Sequence, residues 1–272
     1  MKTLNPKEIS SALFQNVLQA AVAPRPIALV STIDKNGNIN LSPFSFYNIF
    51  STVPPILIFS ASRRVRGNTT KHTLENVLEV SEAVIGTVSF NIIQQVSLTS
   101  TEYEKHENEF IKSGLTMKNA DLVKPKLIEE CAVNFECKVL EVKSFGNEGG
   151  AGNLVICEIL RVHLREEYLD ENGNLDQNKL DLAARLGGNI YSRNNAENFF
   201  EVPKPLVTKG IGFDNLPDEI RFSKIFTGND LGMLANVEKL PEGKASSEES
   251  VHKKAQEFLH QNNIEEAWKS LI

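Results

Sequence analysis

The Asn36-Gly37 dipeptide, set between the branched run Ile27–Ile33 and the segment Ile39–Leu41, constrains this chain more than any other feature. Asn-Gly supplies the positive φ angles of a tight turn between twisted strands, so the flanking runs are predicted to pair as an antiparallel hairpin. Pro24-Arg25-Pro26 stops whatever precedes it. There, Asn5-Pro6-Lys7-Glu8 reads as an N-cap, a proline at the first helical position and a reaching glutamate. Ile9, Leu13, Val17 and Phe14, Leu18, Ala21 form adjoining i, i+4 ladders, so an amphipathic helix is expected to open the chain.

Beyond the hairpin, the phenylalanine-rich stretch Phe44–Phe50 and Pro54-Pro55 lead into a strand at Ile56–Phe59. Arg63–Thr70 is polar and reads as a loop, Leu74, Val77 and Leu78 repeat with helical spacing, and Ala83–Phe90 is strand-like. Cys131, Val133, Phe135, Cys137 and Val139 alternate with mostly polar neighbours, and Leu154–Leu164 is rich in branched residues. With Gly146–Gly152 between them they predict a long hairpin. Short strands joined by hairpins, with helices inserted irregularly, favour an α+β chain with an antiparallel β-barrel core and helical decorations.

A short helix is expected within Asp176–Tyr191, ended by Gly187-Gly188, and Pro203–Pro205 marks the end of the barrel domain. The expected organisation is therefore a domain over 1–205 and an extension over 206–272. Gly210–Leu240 reads as an extended arm, followed by a helix that Ser246-Ser247-Glu248-Glu249 caps and that carries Val251, Ala255, Phe258 and Leu259. Ile264, Trp268 and Leu271 form one face of a further turn or two.

A formal charge of −6 over 272 residues gives no long-range attraction to phosphate backbones or anionic lipid, so neither nucleic acid nor a membrane surface is expected as a partner. The run Ile56–Phe59 falls far short of the ~20 residues of a membrane span. Three cysteines without C-x-x-C spacing point to a reduced, cytoplasmic address. No dinucleotide fingerprint, Walker loop, H-E-x-x-H or G-x-S-x-G occurs in a fitting context. The five histidines are scattered, and no metal is assigned.

Without a visible nucleophile or metal set, catalysis requires a cofactor that carries the reactive atoms. Ser42-Pro43-Phe44-Ser45-Phe46-Tyr47-Asn48 mixes aromatics with small hydroxyls. Ser60-Ala61-Ser62-Arg63-Arg64, followed by Lys71-His72-Thr73, sets hydroxyls and cations around a loop-to-helix transition. A helix N-terminus with nearby cations suits a phosphate monoester. The same residues also read as ordinary structure, with Phe44, Phe46 and Phe50 in the core and Arg63, Arg64 and Arg66 on a solvated loop.

At these residues the sequence resembles the flavin reductase-like family of FMN-binding split barrels, the group that includes flavoredoxin. Ala23–Thr32, Ser42–Asn48 with Pro54-Pro55, Lys71–Asn76 and Arg185–Tyr191 carry the resemblance, in order, from about Ser10 to Pro205. It implies a split barrel, commonly a homodimer, that binds FMN, less often FAD, in a crevice near the subunit contact. Ser42, Pro43, Phe44, Ser45 and Asn48 would line the flavin ring, largely through backbone groups. Ser60, Ala61, Ser62, Arg63, Lys71 and Thr73 would gather around its phosphate. His72 stands where the family commonly has aspartate, which removes an acceptor beside that loop.

The implied activity is that of an NAD(P)H:flavin oxidoreductase, with hydride passing from the nicotinamide of NADH or NADPH to flavin N5 and onward to an acceptor. No side chain is assigned as acid or base, since rate would come mainly from holding the two rings in contact. A partner oxidoreductase or monooxygenase would receive the electrons. A flavoredoxin-type electron carrier and a flavin-free split-barrel binding protein are the alternatives.

Overall fold

In the computed structural model, which describes residues 1–272, helix α1 (Ser11–Ala21) leads into a two-residue strand β1 (Arg25–Pro26) and the hairpin of β2 (Ala28–Ile33) and β3 (Ile39–Phe44). The hairpin pairs from Ala28 opposite Phe44 to Ile33 opposite Ile39. Only Gly37 takes a positive φ, of 91°. Asp34 fixes the rest of the turn by accepting from the amides of Asn36 and Asn38 at 2.9 and 2.8 Å.

Helix α1 begins later than its sequence suggests. Asn5–Glu8 closes a separate turn, with the Asn5 amide donating to Glu8 Oε1 at 2.7 Å, and Ser10 caps the helix by accepting from Leu13 N at 3.2 Å. At its other end the buried Arg25 guanidinium donates to the carbonyls of Gln19 and Val22, which satisfies orphaned helix-end acceptors, and to the carbonyl of Leu186.

The chain continues through β4 (Tyr47–Ser51), β5 (Ile56–Ser60), α2 (His72–Glu79), β6 (Glu82–Thr87), α3 (Ile93–Leu98), α4 (Glu109–Ser113), the short pair β7 (Met117–Lys118) and β8 (Leu127–Ile128), and the long hairpin β9 (Val133–Ser144) and β10 (Asn153–Leu164). Seven strands form one antiparallel sheet in the order β3-β2-β6-β9-β10-β5-β4. Its two edge strands, β3 and β4, are joined by only Ser45 and Phe46. Three Cα steps reach at most about 11 Å, whereas six flat strand spacings measure about 29 Å, so the sheet must curl until its edges meet. Ser60 N donates to Phe46 O at 2.8 Å at this corner.

Curling gives the sheet two buried faces. Ala28, Val30, Phe44, Phe59, Ile85, Cys137 and Val155 fill one, and Leu29, Leu41, Val84, Phe110, Ile128 and Cys131 pack on the other. Adjacent residues of β2 and of β6 thus point into different cores, which explains their unbroken apolar runs. All three cysteines are buried free thiols, and burial pushes each thiol's pKa up.

A buried carboxylate locks the segment before β8. Glu136, fully buried on β9, accepts from the amides of Asp121, Leu122 and Val123 at 3.0, 2.6 and 3.1 Å and meets His163 Nε2 at 2.6 Å. Burial alone would raise its pKa, but His163 and the three amides outweigh that and hold it below the usual carboxylate range. A depressed native pKa contributes stability that is present above the unfolded value of ~4.3 and is lost as pH falls through the native value. The stability difference between the wild type and Glu136→Gln in urea should therefore shrink between pH 7 and pH 3; a difference independent of pH would remove Glu136 from acid unfolding.

The expected helix within Asp176–Tyr191 is only one turn, α5 (Gln177–Leu180), followed by β11 (Leu182–Arg185) and β12 (Tyr191–Asn194). These two strands pair, and β11 also pairs with β1, placing Arg185 opposite Arg25. Gly187-Gly188 therefore belongs to a hairpin turn and not to a helix end, with Gly188 at φ 58°.

The chain divides into two compact units, Met1–Phe199 and Phe200–Ile272. In the second, Gly210–Leu240 is not an extended arm: it holds α6 (Asp218–Arg221) and α7 (Gly228–Ala235), which precede α8 (Glu249–His260) and α9 (Ile264–Leu271). Thr227–Asp230, which resembles a loop in sequence, is a reciprocal capping box that starts α7. Leu216, Ile220, Leu234, Leu259, Trp268 and Leu271 form this unit's own core, and Trp268 Nε1 donates to Leu234 O at 3.3 Å. No helix of the chain is long and apolar enough to cross a membrane.

Candidate functional site

Asn40 and Ser42 on β3 meet the loop that ends at α2 and the turn that follows α3 around a polar recess of about 50 Å³. Its floor is a buried network. The Asn40 amide accepts from Thr73 Oγ1 at 2.8 Å and donates to Glu109 Oε1 at 3.2 Å, while Leu41 N donates to Glu109 Oε2 at 3.0 Å. Burial raises the Glu109 pKa, so the neutral acid is favoured relative to an exposed glutamate.

Two cations line the recess, Arg64 and Lys71. The Lys71 ammonium lies 4.9 Å from the centroid of the Phe44 ring, and burial, then the nearby Arg64 charge, push its pKa down. Arg64 donates to Thr69 Oγ1 at 3.2 Å and to Thr70 O, and its Nε lies 3.2 Å from Glu102 Oε1. Lys71 is the N-cap of α2 in extended conformation; its ammonium, a donor only, cannot cap the helix amides, and its side chain lines the recess. Thr99, Ser100 and Thr101 add hydroxyls.

At Ser100 this recess meets a groove of about 200 Å³ lined by Ile27, Pro43, Ser45, Ile93, Val96, Ser97, Arg185 and Tyr191. A further hollow of about 200 Å³ shares Ile93, Ser97 and Tyr191 with it and extends to Phe90 and Arg193. Arg185 stacks on the Tyr191 ring at 4.5 Å, and Arg193 on Phe90 at 4.1 Å while donating two 2.7 Å bonds to Asp181. The depression is thus cationic and hydroxyl-rich at one end, the groove mixes Ser45, Ser97 and Arg185 with Ile27, Pro43, Ile93, Val96 and Tyr191, and the further hollow beside Phe90 is the more apolar part.

Residues 21–182 match the family described as the flavin reductase like domain. The chain belongs to this family. An uncharacterized protein of Aquifex aeolicus (strain VF5) is 36% identical over 185 residues, covering 68% of this chain and 92% of that one. Nitrilotriacetate monooxygenase component B from Bacillus cereus superposes with a TM-score of 0.69 at 24% identity, covering 74% of this chain and 98% of that structure. An FMN-binding protein from Thermus thermophilus with bound 1-cyclohex-2-enone superposes with a TM-score of 0.56 at 17% identity, over 74% and 100%. The curled seven-stranded sheet is the split barrel of the flavin reductase-like fold.

The residues that the flavin reductase-like resemblance implied for the cofactor do not all converge. Ser42, Lys71 and Thr73 line the polar recess, and Pro43 and Ser45 line the adjoining groove. Phe44 is buried against Phe59, with ring centroids 5.2 Å apart, and Ala61 is fully buried in the core. Ser60 and Ser62 face each other at 3.4 Å outside the recess. Arg63 turns onto its own loop, donating to Asn68 Oδ1 at 2.7 Å and Asn68 O at 2.6 Å, and its neighbour Arg64 reaches the recess. Asn48 lies on β4, at the other edge of the sheet from β3, and lines an apolar cavity of about 530 Å³ that shares Ile27 with the groove but none of the residues of the polar recess.

Sequence reasoning passed over Thr99–Tyr103 and Glu109. Their signal was the hydroxyl run Thr99-Ser100-Thr101 placed directly after the helical apolar spacing of Ile92 and Val96.

Proposed function

We propose that this chain is an NAD(P)H:flavin oxidoreductase whose flavin is FMN. The observation that carries the reading is the junction at Ser100 between a small recess with two cations and a larger groove where Ile27, Ile93, Val96 and Tyr191 alternate with serine hydroxyls and Arg185, which suits a molecule with an anionic tail and a planar ring that has a polar edge. The donor set fits such a group: Arg64 and Lys71 supply charge, and Ser42, Ser100 and Thr101 supply hydroxyl donors, the Thr99 hydroxyl being committed to Val96 O. A recess of about 50 Å³ favours one phosphate over the two of FAD.

When bound, flavin supplies a two-electron acceptor for the hydride of NADH or NADPH. The chain's own contribution is placement. Arg64 and Lys71 would hold the phosphate, while Pro43 and Ser45 would present β3 to the ring and Ile27, Ile93 and Val96 would keep water from that side. Tyr191, held by Arg185, stands where the groove meets the further hollow and offers a face against which a second ring stacks.

The working unit proposed is a homodimer in the cytoplasm, passing electrons to a separate oxidoreductase or monooxygenase. Exposed Ile49, Phe50 and Val53 support a second copy as partner, and free buried thiols support a reducing compartment. With FMN added, the purified protein is expected to oxidise NADH or NADPH catalytically. Flavin binding without turnover of either nucleotide would leave an electron carrier instead, and absence of both would leave a flavin-free binding protein.

A further inference from the structure

Besides Glu109 in its floor, the recess holds a second carboxyl group, at its exposed rim beside the cations. Glu102 lines it and places Oε1 3.2 Å from Arg64 Nε. The Arg64 side chain is mostly buried, 18% exposed, while that of Glu102 is 66% exposed. Arg64 is tethered by Thr69 and Thr70 on its own loop, whereas the Glu102 carboxylate makes no bond other than the one to Arg64. One partner is therefore fixed and the other free to leave. Lys71, the second cation, has no carboxylate within ion-pair distance, so the anion-binding charge is divided between one occupied and one open group.

We infer that Glu102 is an internal competitor for the anionic tail of the ligand: it occupies the Arg64 guanidinium when the recess is empty and must be displaced when a phosphate enters. This rests on the flavin reading of the site. The competition subtracts from phosphate affinity and leaves the ring's contacts in the neighbouring groove untouched, so it sets how readily a phosphorylated flavin exchanges. It also orders the events of binding. The exposed Glu102 carboxylate swings outward by rotation of its own side chain, while Arg64, Lys71 and the Thr99–Thr101 backbone stay in place.

Glu102→Gln keeps the shape and removes the charge, and Glu102→Ala removes both. FMN and riboflavin, which share the ring and differ in the phosphate, are titrated into wild type and both variants by flavin fluorescence, with circular dichroism as the check on folding. Both variants are expected to bind FMN about fivefold more tightly than wild type, the ratio set by a partly exposed ion pair, and to bind riboflavin as wild type does. FMN affinity unchanged or weakened in both variants would overturn the competition while leaving the flavin reading intact. Equal tightening of riboflavin would place the effect in the ring groove and likewise overturn it. Failure of wild type and variants alike to bind FMN would overturn the flavin reading and this inference with it.

Discussion

Glu136→Leu should cost ~3–5 kcal/mol of unfolding free energy, because the substitution strands the buried amide of Val123 and the part-buried amides of Asp121 and Leu122 and removes the partner of His163. The side chain is fully buried and its oxygens close the segment Asp121–Val123 against β9. Leucine fills much of the volume but accepts no hydrogen bond, so the loss is one of polar satisfaction and not of packing. Urea unfolding at pH 7 checks this through the midpoint at constant slope. A loss below 1 kcal/mol would mean that those amides find other partners and that the clamp contributes little.

Lys71→Ala should weaken FMN binding by ~1.5–3 kcal/mol, the range for a hydrogen bond to a charged group. The ammonium lies over Phe44 and its pKa is already lowered by burial, so part of its charge–solvent interaction has been given up in the folded chain. A phosphate restores that interaction. Riboflavin affinity should be unchanged, and a loss shared equally by both flavins would move Lys71 from the phosphate to the ring or to the fold. Thr73 is a poor companion substitution, since its hydroxyl bonds Asn40 in the floor of the recess and is almost fully buried.

The two long hairpins were legible because their information is local. Asp34–Asn38 carries its own turn chemistry, β9 alternates apolar and polar residues over most of its length, and β10 is rich in branched residues. Leu182–Asn194 was not legible. Ala183-Ala184 has high helix propensity and Gly187-Gly188 looks like a helix end, yet β11 is held by pairing with β1, a partner some 160 residues away. Gly210–Leu240 was misread for a related reason: the turn-forming Thr227–Asp230 caps a helix whose burial depends on α8 and α9.

For the site, Ser42, Lys71 and Thr73 were reached through the family resemblance and do share a recess. The choice between Arg63 and Arg64 was beyond the sequence, because adjacent residues of an extended segment point to opposite sides. Asn48 followed Ser45 closely in sequence but lies across the barrel seam, on the strand at the opposite edge. Thr99–Glu102 joins the site only through the packing of α3 and α4 against the core that includes Leu29 and Leu41.

The central claim, a cationic recess that reads the phosphate of a flavin whose ring lies in the adjoining groove, is tested most directly by titrating flavin-stripped protein with FMN and with riboflavin. The account predicts saturable binding of one FMN per chain, with riboflavin at least tenfold weaker at moderate salt. Equal affinity for the two flavins, or no binding of either, would contradict it.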